Sequence, residues 1–354
     1  MRDVLELFGL AIKERASDLH ITEGSPPLLR MDGKLTPTSL PPMTREECKQ
    51  LVYSVLTDKQ KARFEQELEL DASLDVRDLG RFRVNVHSQR GSIEAAFRVV
   101  PTSIRSLKEL GMPPVVGDLT RRPNGLVLLT GATGTGKTTT LAAMVDLINQ
   151  EQQHHIVVIE DPIEYLHHNK QSIIKQREVY ADTKSFAEAL RHTLRQDPNV
   201  IVVGEMRDLE TISTTLTAAE TGHLVLATIH TPDAPQTIER IIDVFPPYQQ
   251  QQVRLQLAAA LQGVISQQLV PRVTGKGRVL AAEIMIATPG IRNMVRERAT
   301  EQIRTAIQTG AQFGMKTMDK SLSELYESGV ISYEEALNRA RNLDELKRLM
   351  QIKR

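Results

Sequence analysis

Residues 125–138 constrain this chain more than any other stretch. Gly125-Leu-Val-Leu-Leu-Thr130 is a continuous apolar run of strand length, and Gly131-Ala-Thr-Gly-Thr-Gly-Lys137-Thr138 is a glycine-rich turn. Thr139-Thr-Leu-Ala-Ala-Met-Val-Asp-Leu-Ile148 then reads as a helix. Gly131, Gly136, Lys137 and Thr138 satisfy G-x-x-x-x-G-K-[ST], and strand before and helix after give the pattern the context a phosphate-binding loop needs. Glycines let successive backbone N–H groups curl inward toward phosphate oxygens, and the helix N-terminus adds its dipole. Residues Gly131, Ala132, Thr133, Gly134, Thr135, Gly136, Lys137, Thr138 and Thr139 are therefore the candidate nucleotide-binding set. Lys137 would reach the β/γ-phosphates and Thr138 would offer its hydroxyl to Mg²⁺.

The rest of the composition narrows the setting. The 354 residues exceed what one core usually supports, so two domains are expected, with about a domain's length ahead of the loop. Forty-four basic and 44 acidic residues cancel, which argues against a general nucleic-acid footprint. The single Cys48 leaves no disulfide framework and no cysteine-based zinc site. Arg2, Asp3 and Glu6 interrupt any signal-like apolar stretch, and no apolar run approaches spanning length, so a cytoplasmic protein is expected.

Ahead of the loop, Val4-Leu5, Leu7-Phe8 and Ile12 have helix spacing, Ser25-Pro-Pro27 and Asp32-Gly33 read as turns, and Thr44 to Glu47 has capping-box spacing opening a helix through Leu56. Phe82, Val84 and Val86 alternate with Arg81, Arg83 and Asn85, and after a turn at residues 88–91 the alternation resumes with Ile93, Ala95, Phe97 and Val99. Such a β pair has one core face and one face of arginines. Prolines 113, 114 and 123 mark a linker, with a short helical piece at Ser106 to Leu110. The expected boundaries are an N-terminal domain at 1–100, a linker at 101–112 and a nucleotide domain at 113–354. Beyond the loop, Ile156 to Ile159, Val200 to Val203 and Leu224 to Ala227 alternate with helical segments, the signature of a parallel α/β sheet covered on both faces. After Pro246-Pro247 the chain is expected to be helical from Gln249 through Val270, and again from 291, 317 and 332 onward.

Hydrolysis of a γ-phosphate needs an oriented water and neutralised charge. Each later strand runs into a candidate: Glu160-Asp161-Pro162-Ile163-Glu164, then Gly204-Glu205, then Ile229-His230. Ligands of open α/β sheets bind outside the carboxyl ends of the strands, so these groups should converge on the held phosphate. Glu205 is assigned to Mg²⁺ or its waters, Glu164 to polarising the attacking water, and His230 to the same site.

Taken together, these boxes resemble those of the secretion-superfamily hexameric ATPases and, within them, the type IV pilus retraction ATPases. The resemblance rests on the loop above, on Glu160-Asp-Pro-Ile-Glu164 as an aspartate box, and on Val203-Gly-Glu-Met-Arg-Asp208 as an atypical Walker B. Thr221-Gly-His-Leu-Val-Leu-Ala-Thr-Ile-His230 matches as a histidine box, and Ala16-Ser-Asp-Leu-His-Ile21 with Pro26-Pro-Leu-Leu-Arg-Met-Asp-Gly33 matches in front. It implies a PAS-like α+β N-terminal domain and a RecA-like P-loop NTPase C-terminal domain with a helical extension. It further implies ATP and Mg²⁺, a homohexamer, and work at the cytoplasmic face of the inner membrane against a pilus platform protein, with no nucleic acid. Assembly and type II secretion ATPases share this core but usually carry a further N-terminal domain and a four-cysteine module, for which this chain is expected to have no room. A nucleic-acid translocase is a remoter alternative, set against by 4% aromatic residues and no Trp.

Retraction ATPases also carry a helix reading approximately A-I-R-N-L-I-R-E, which Gly290-Ile-Arg-Asn-Met-Val-Arg-Glu297 matches, with Gly290 expected to weaken the helix start. Ile291, Met294 and Val295 form its apolar stripe, and Arg292, Asn293 and Arg296 lie off it. A phosphoryl-transfer site also wants an inserted guanidinium. Arg83 and Arg98 on the strand faces and Arg105 in the linker are the candidates, with Arg207 and Arg240 as competitors.

Overall fold

The structure, a computed structural model, describes residues 3–31, 33–77, 79–101 and 103–351; Arg2 and Asp32, read above, lie outside the described residues. The chain divides into two compact units. One is Met1–Ser103 with Pro162–Leu166, the other Ile104–Asp161 with His167–Arg354.

In the first unit come α1 (Val4–Lys13), β1 (Asp18–Ile21), β2 (Leu28–Met31), β3 (Lys34–Pro37), α2 (Arg45–Val55) and α3 (Asp58–Glu67). They are followed by β4 (Glu69–Val76), β5 (Gly80–Gln89) and β6 (Ser92–Val99). The six strands form one sheet in the order β3-β2-β1-β6-β5-β4, with every pairing antiparallel. The expected alternation is realised: Phe82, Val84 and Val86 on β5 and Ala95 and Phe97 on β6 are buried. Arg90 and Gly91 join the two strands with φ of 50° and 80°, the left-handed pair that lets a two-residue turn follow the strand twist. Phe8 of α1 stacks on Phe82 at 4.3 Å and meets Phe97 edge-on at 5.0 Å, which fixes the helix on the sheet. Helix α2 begins where the spacing placed it, because Thr44 and Glu47 cap each other reciprocally; α3 repeats the device with Thr57 and Gln60. Cys48 is buried in α2.

The second unit opens with α4 (Pro114–Thr120), β7 (Gly125–Thr130), α5 (Lys137–Glu151), β8 (His155–Glu160), β9 (Ile173–Glu178), α6 (Phe186–Thr193) and β10 (Val200–Val203). It continues with α7 (Leu209–Glu220), β11 (Leu224–Ile229), α8 (Ala234–Asp243), α9 (Pro247–Ala260), β12 (Leu261–Pro271) and β13 (Arg278–Ile286). Five helices follow: α10 (Pro289–Arg296), α11 (Ile303–Thr309), α12 (Met318–Glu327), α13 (Tyr333–Arg339) and α14 (Leu343–Gln351). The sheet order is β13-β12-β7-β11-β10-β8-β9, parallel throughout except where β13 turns back along β12. Both faces are covered, which is why β7, β10 and β11 are buried along their whole lengths and read as unbroken apolar runs. Leu126 and Leu128 join the layer that includes α7 and α9, whereas Val127 and Leu129 join the layer that includes α4 and α5.

Two expectations need correcting. The helix expected through Val270 ends at Ala260, and residues 261–271 form β12 between β7 and β13. Apolar residues at 257, 261, 264 and 265 mimic helix spacing, but Gly263 has no room for a side chain, since a Cβ would lie 3.0 Å from Leu119 and from the Met285 carbonyl. The helical piece expected at Ser106 to Leu110 is a hydrogen-bonded turn closed by Leu110 N–H to Ser106 O at 3.1 Å. Nearby Leu107 and Met112 are buried in the core of the second unit. Among the described residues, no helix is long and apolar enough to cross a membrane.

Because Thr44 supplies one orphan amide of α2 with its acceptor, Thr44→Ala should lower the stability of the first unit by about 1 kcal/mol, and Thr44→Ser should stay near wild type. Chemical denaturation followed by far-ultraviolet dichroism measures both; an unchanged midpoint for Thr44→Ala would mean the cap contributes nothing.

Candidate functional site

The carboxyl end of β7 becomes the phosphate-type loop. Gly131, Gly134 and Gly136 take φ of 140°, 79° and 90°. At Gly131 the reason is also steric, as a Cβ would lie 2.6 Å from the Gln267 carbonyl of the adjacent β12. Gly136 is the N-cap of α5 and has no side chain with which to cap the first turn, the kind of helix start at which an anion is bound. Lys137 is buried, and its ammonium donates to the carbonyls of Gly131 at 2.7 Å and Ala132 at 3.0 Å. Thr138 and Thr139 are half-buried in the first turn. In front lies an open cleft of about 550 Å³, whose lining includes residues 131–135, residues 230–232 at the end of β11, and residues 267–269 of β12. Gln267 is buried; its amide donates to the Thr140 hydroxyl at 3.0 Å, while its Oε1 has no partner.

Two of the expected acid and histidine groups meet. The strand ends of β10 and β11 are laced together: Met206 N–H donates to Thr228 O at 2.9 Å, and the Thr228 hydroxyl donates to Gly204 O at 2.5 Å. That lacing brings Glu205 Oε1 to 3.1 Å from His230 Nε2 and 2.6 Å from Arg207 Nε. Burial raises the Glu205 pKa, but the Arg207 hydrogen bond and the fields of His230 and Arg207 outweigh it, so the carboxyl sits below its usual value. The next residue, Thr231, is tied to the strand that feeds the loop: its hydroxyl is 2.9 Å from that of Thr130, and its carbonyl accepts from the Thr130 hydroxyl.

Glu164 takes a different place. It falls in the Pro162–Leu166 segment that packs with the first unit, where Arg83 Nη1 holds its Oε1 at 3.1 Å. Arg98 pairs with buried Asp18 at 2.9 Å, and across the β5/β6 ladder Arg83 stands directly opposite Arg98. Arg105 and Arg240 are exposed. Sequence reasoning missed Gln267 and the arginines that line the far side of the cleft, Arg278, Arg339 and Arg341. Misreading β12 as helix hid the first, and for the others no local pattern marks a distant arginine as site-facing.

The segment at 290–297 is a helix whose start is sound despite Gly290, because the Thr288 hydroxyl caps Ile291 N–H and Pro289 occupies the first turn. Its apolar stripe is buried as expected at Ile291 and Val295. Arg292 is not available to a partner: its guanidinium donates to the carbonyls of Ala258 at 2.7 Å, Ala259 at 2.5 Å and Ala287 at 3.0 Å, closing the C-terminus of α9. Asn293 and Arg296 are exposed and bond only to each other in the contacts described, at 3.1 Å.

The whole span from residue 1 to 350 matches the family model described as type II/IV secretion system protein. The chain is 49% identical to the type IV pilus retraction ATPase PilT of Pseudomonas aeruginosa, covering 96% of this chain and 98% of that protein. It is 46% identical to a twitching motility protein of Neisseria gonorrhoeae, covering 94% and 90%. A crystal structure of the pilus retraction motor PilT with bound ADP superposes with a TM-score of 0.93 at 48% identity, covering 98% of this chain and all of that one.

Arg292→Ala should cost about 2 kcal/mol by leaving the last carbonyls of α9 without their charged donor, whereas Arg296→Ala should stay within about 0.5 kcal/mol of wild type. Denaturant titration of the two variants separates these values, and equal midpoints would remove the capping role. With its RecA-like second unit, its P-loop and its α+β first unit, the chain belongs to the type II/IV secretion system protein family of ATPases.

Proposed function

We propose that the chain is an ATP-hydrolysing motor that drives retraction of type IV pili, acting as a homohexamer at the cytoplasmic face of the inner membrane and pulling on a pilus platform protein there. The observation that carries this reading is the retraction ATPase similarity running the full length of both chains, around a loop whose first-turn amides and lysine are arranged for a phosphate chain. Retraction is the activity that the relatives' names give; the hexamer and the platform partner rest on the family resemblance alone.

The chemistry follows from the side chains. The α5 amides and Lys137 bind the β/γ-phosphates and take up charge as it develops. A nucleotide-bound Mg²⁺ is held mainly by the phosphates and water, with few protein ligands. Thr138 would hold that ion, and Glu205 would orient its waters through the oxygen that Arg207 and His230 leave open; bound there, Mg²⁺ neutralises charge on the leaving phosphates. Glu164 orients the attacking water once Arg83 releases it. Arg83, Arg98 and Arg105 are the candidates for the guanidinium that meets the transition state, supplied from one subunit to the next.

Lys137→Ala should abolish ATP turnover, and a strain carrying it should be hyperpiliated and unable to twitch. Bald cells would point to assembly instead, and wild-type turnover would overturn the loop's role. Mixing Lys137→Ala subunits with Arg83→Ala, Arg98→Ala or Arg105→Ala subunits tests the finger. Turnover that neither parent has should appear for the true one, since a mixed interface of one of the two orientations sets the intact loop of the arginine variant against the intact arginine of the lysine variant. No recovery with any of the three, together with full turnover by an isolated C-terminal domain starting near Gly111, would remove the first unit from the chemistry.

A further inference from the structure

One wall of the cleft comes from none of the strand ends discussed so far. Arg278 opens β13, Arg339 closes α13, and Arg341 lies in the short crossing to α14, yet all three line the same cleft as residues 131–135. The crossing is pinned from behind. Asp319 of α12 is fully buried and accepts from the backbone N–H groups of Arg341 at 2.6 Å and Asn342 at 3.0 Å, and from the Arg304 guanidinium at 2.9 Å. It is also tied from in front. The Arg341 guanidinium donates to Pro232 O at 2.9 Å, two residues past His230, and the Gln268 amide donates to Arg339 O at 3.5 Å. Helices α12 to α14 share a core with Val270 of β12 and Ala281 of β13, so the crossing is carried on the same sheet as the loop.

No carboxylate stands among the described lining residues, while three arginines line the cleft together with the glycine-rich loop, His230, Gln267 and Gln268. A cleft whose formally charged lining groups are guanidiniums suits a polyanion, and guanidinium is the group that recognises one through directed, paired N–H donors. We propose that Arg339 and Arg341 form a second phosphate-binding wall of the nucleotide site, so that a bound nucleoside di- or triphosphate is held between the P-loop and the α13–α14 crossing. The C-terminal helices are then part of the site and are ordered by its occupancy. This rests on the reading of the cleft as the nucleotide site.

The test uses the full-length chain and a fluorescent ADP analogue, titrated at fixed ionic strength into wild type, Lys137→Ala, Arg339→Ala, Arg341→Ala and Arg341→Lys, with amide exchange of residues 317–346 followed with and without ADP. Removing one charged hydrogen-bond donor should weaken ADP about tenfold in Arg339→Ala and in Arg341→Ala. Arg341→Lys should recover part of the loss, and ADP should slow exchange at Arg341 and Asn342 in wild type. Among the described residues Arg339 makes its ion pair with Glu335 on its own helix, at 3.2 Å, so its variant keeps the test sound if Arg341→Ala does not fold. Arginine variants that bind ADP like wild type, with exchange of the crossing unchanged, would overturn the proposal while loss of binding in Lys137→Ala leaves the nucleotide reading standing. Absence of ADP binding by wild type would overturn both.

Discussion

The positive end of α5 is the constraint around which the second unit is built. A helix that begins at a glycine N-cap has no capping side chain at its positive end, and placing that end inside a folded domain favours a site where an anion or water can reach it. The strand that delivers it must therefore be rigid and the space before it open. Rigidity comes from β7, which is buried from Gly125 to Thr130 and hydrogen-bonded to parallel neighbours on both sides. Openness comes from the chain order: β7 is followed not by its neighbour but by β8, three places away, which leaves the carboxyl ends of β7, β11 and β12 around a crevice. Gly131 is a tight joint, where the loop leaves the strand against the Gln267 backbone with no room for a side chain.

The first unit manages charge differently. Two arginines directly opposite on neighbouring strands repel one another, so the Arg83–Arg98 pair is unfavourable by itself. Each is offset by its own carboxylate, Glu164 for Arg83 and Asp18 for Arg98. The two partners are not equivalent. Asp18 is buried, and although burial raises its pKa, hydrogen bonds from Ser17 and Arg98 and the Arg98 charge outweigh it, so it stays ionised below the usual carboxylate range. Glu164 is more than a third exposed, and ion pairs of that kind are worth little and exchange readily. Arg83 is therefore the arginine that gives up its carboxylate at the smaller cost, and Arg98 the one that is held.

Much of this was legible before any coordinates. Period-two alternation marked β5 and β6 because one face of an antiparallel sheet packs on α1 while the other stays polar, and reciprocal capping marked the first residue of α2 because Thr and Glu at that spacing can satisfy each other's amides. The P-loop was legible because its chemistry demands glycine at fixed offsets. β12 was not, because a strand buried on both faces has no alternation, and its apolar residues fall at helical offsets by accident. The cap that Arg292 places on α9 is hidden for a related reason: position on a helical wheel tells which face a side chain leaves from, not whether a neighbouring helix end lies within reach of a long guanidinium. The arginines of the far wall are separated from the loop by more than a hundred residues, and only the packing of α12 to α14 on β12 and β13 brings them to it.

The stretch from Thr228 to Ala234 gathers these parts. The Thr228 hydroxyl holds the Gly204 carbonyl, His230 meets Glu205, Thr231 holds Thr130 at the foot of the P-loop, the Pro232 carbonyl takes Arg341, and Ala234 N–H is held by buried Glu283 at 3.1 Å. Within seven consecutive residues the chain thus contacts the end of β10, the loop strand β7, the α13–α14 crossing and β13. Close-packed interiors switch between discrete arrangements rather than deforming smoothly. A stretch tied at five points cannot follow a movement of Glu205 toward a bound phosphate without straining the Thr130 and Arg341 attachments. The histidine strand end thus ties Glu205 at the end of β10, the strand that feeds the P-loop and the α13–α14 crossing together through direct contacts, and none of the three can shift there without the others giving way.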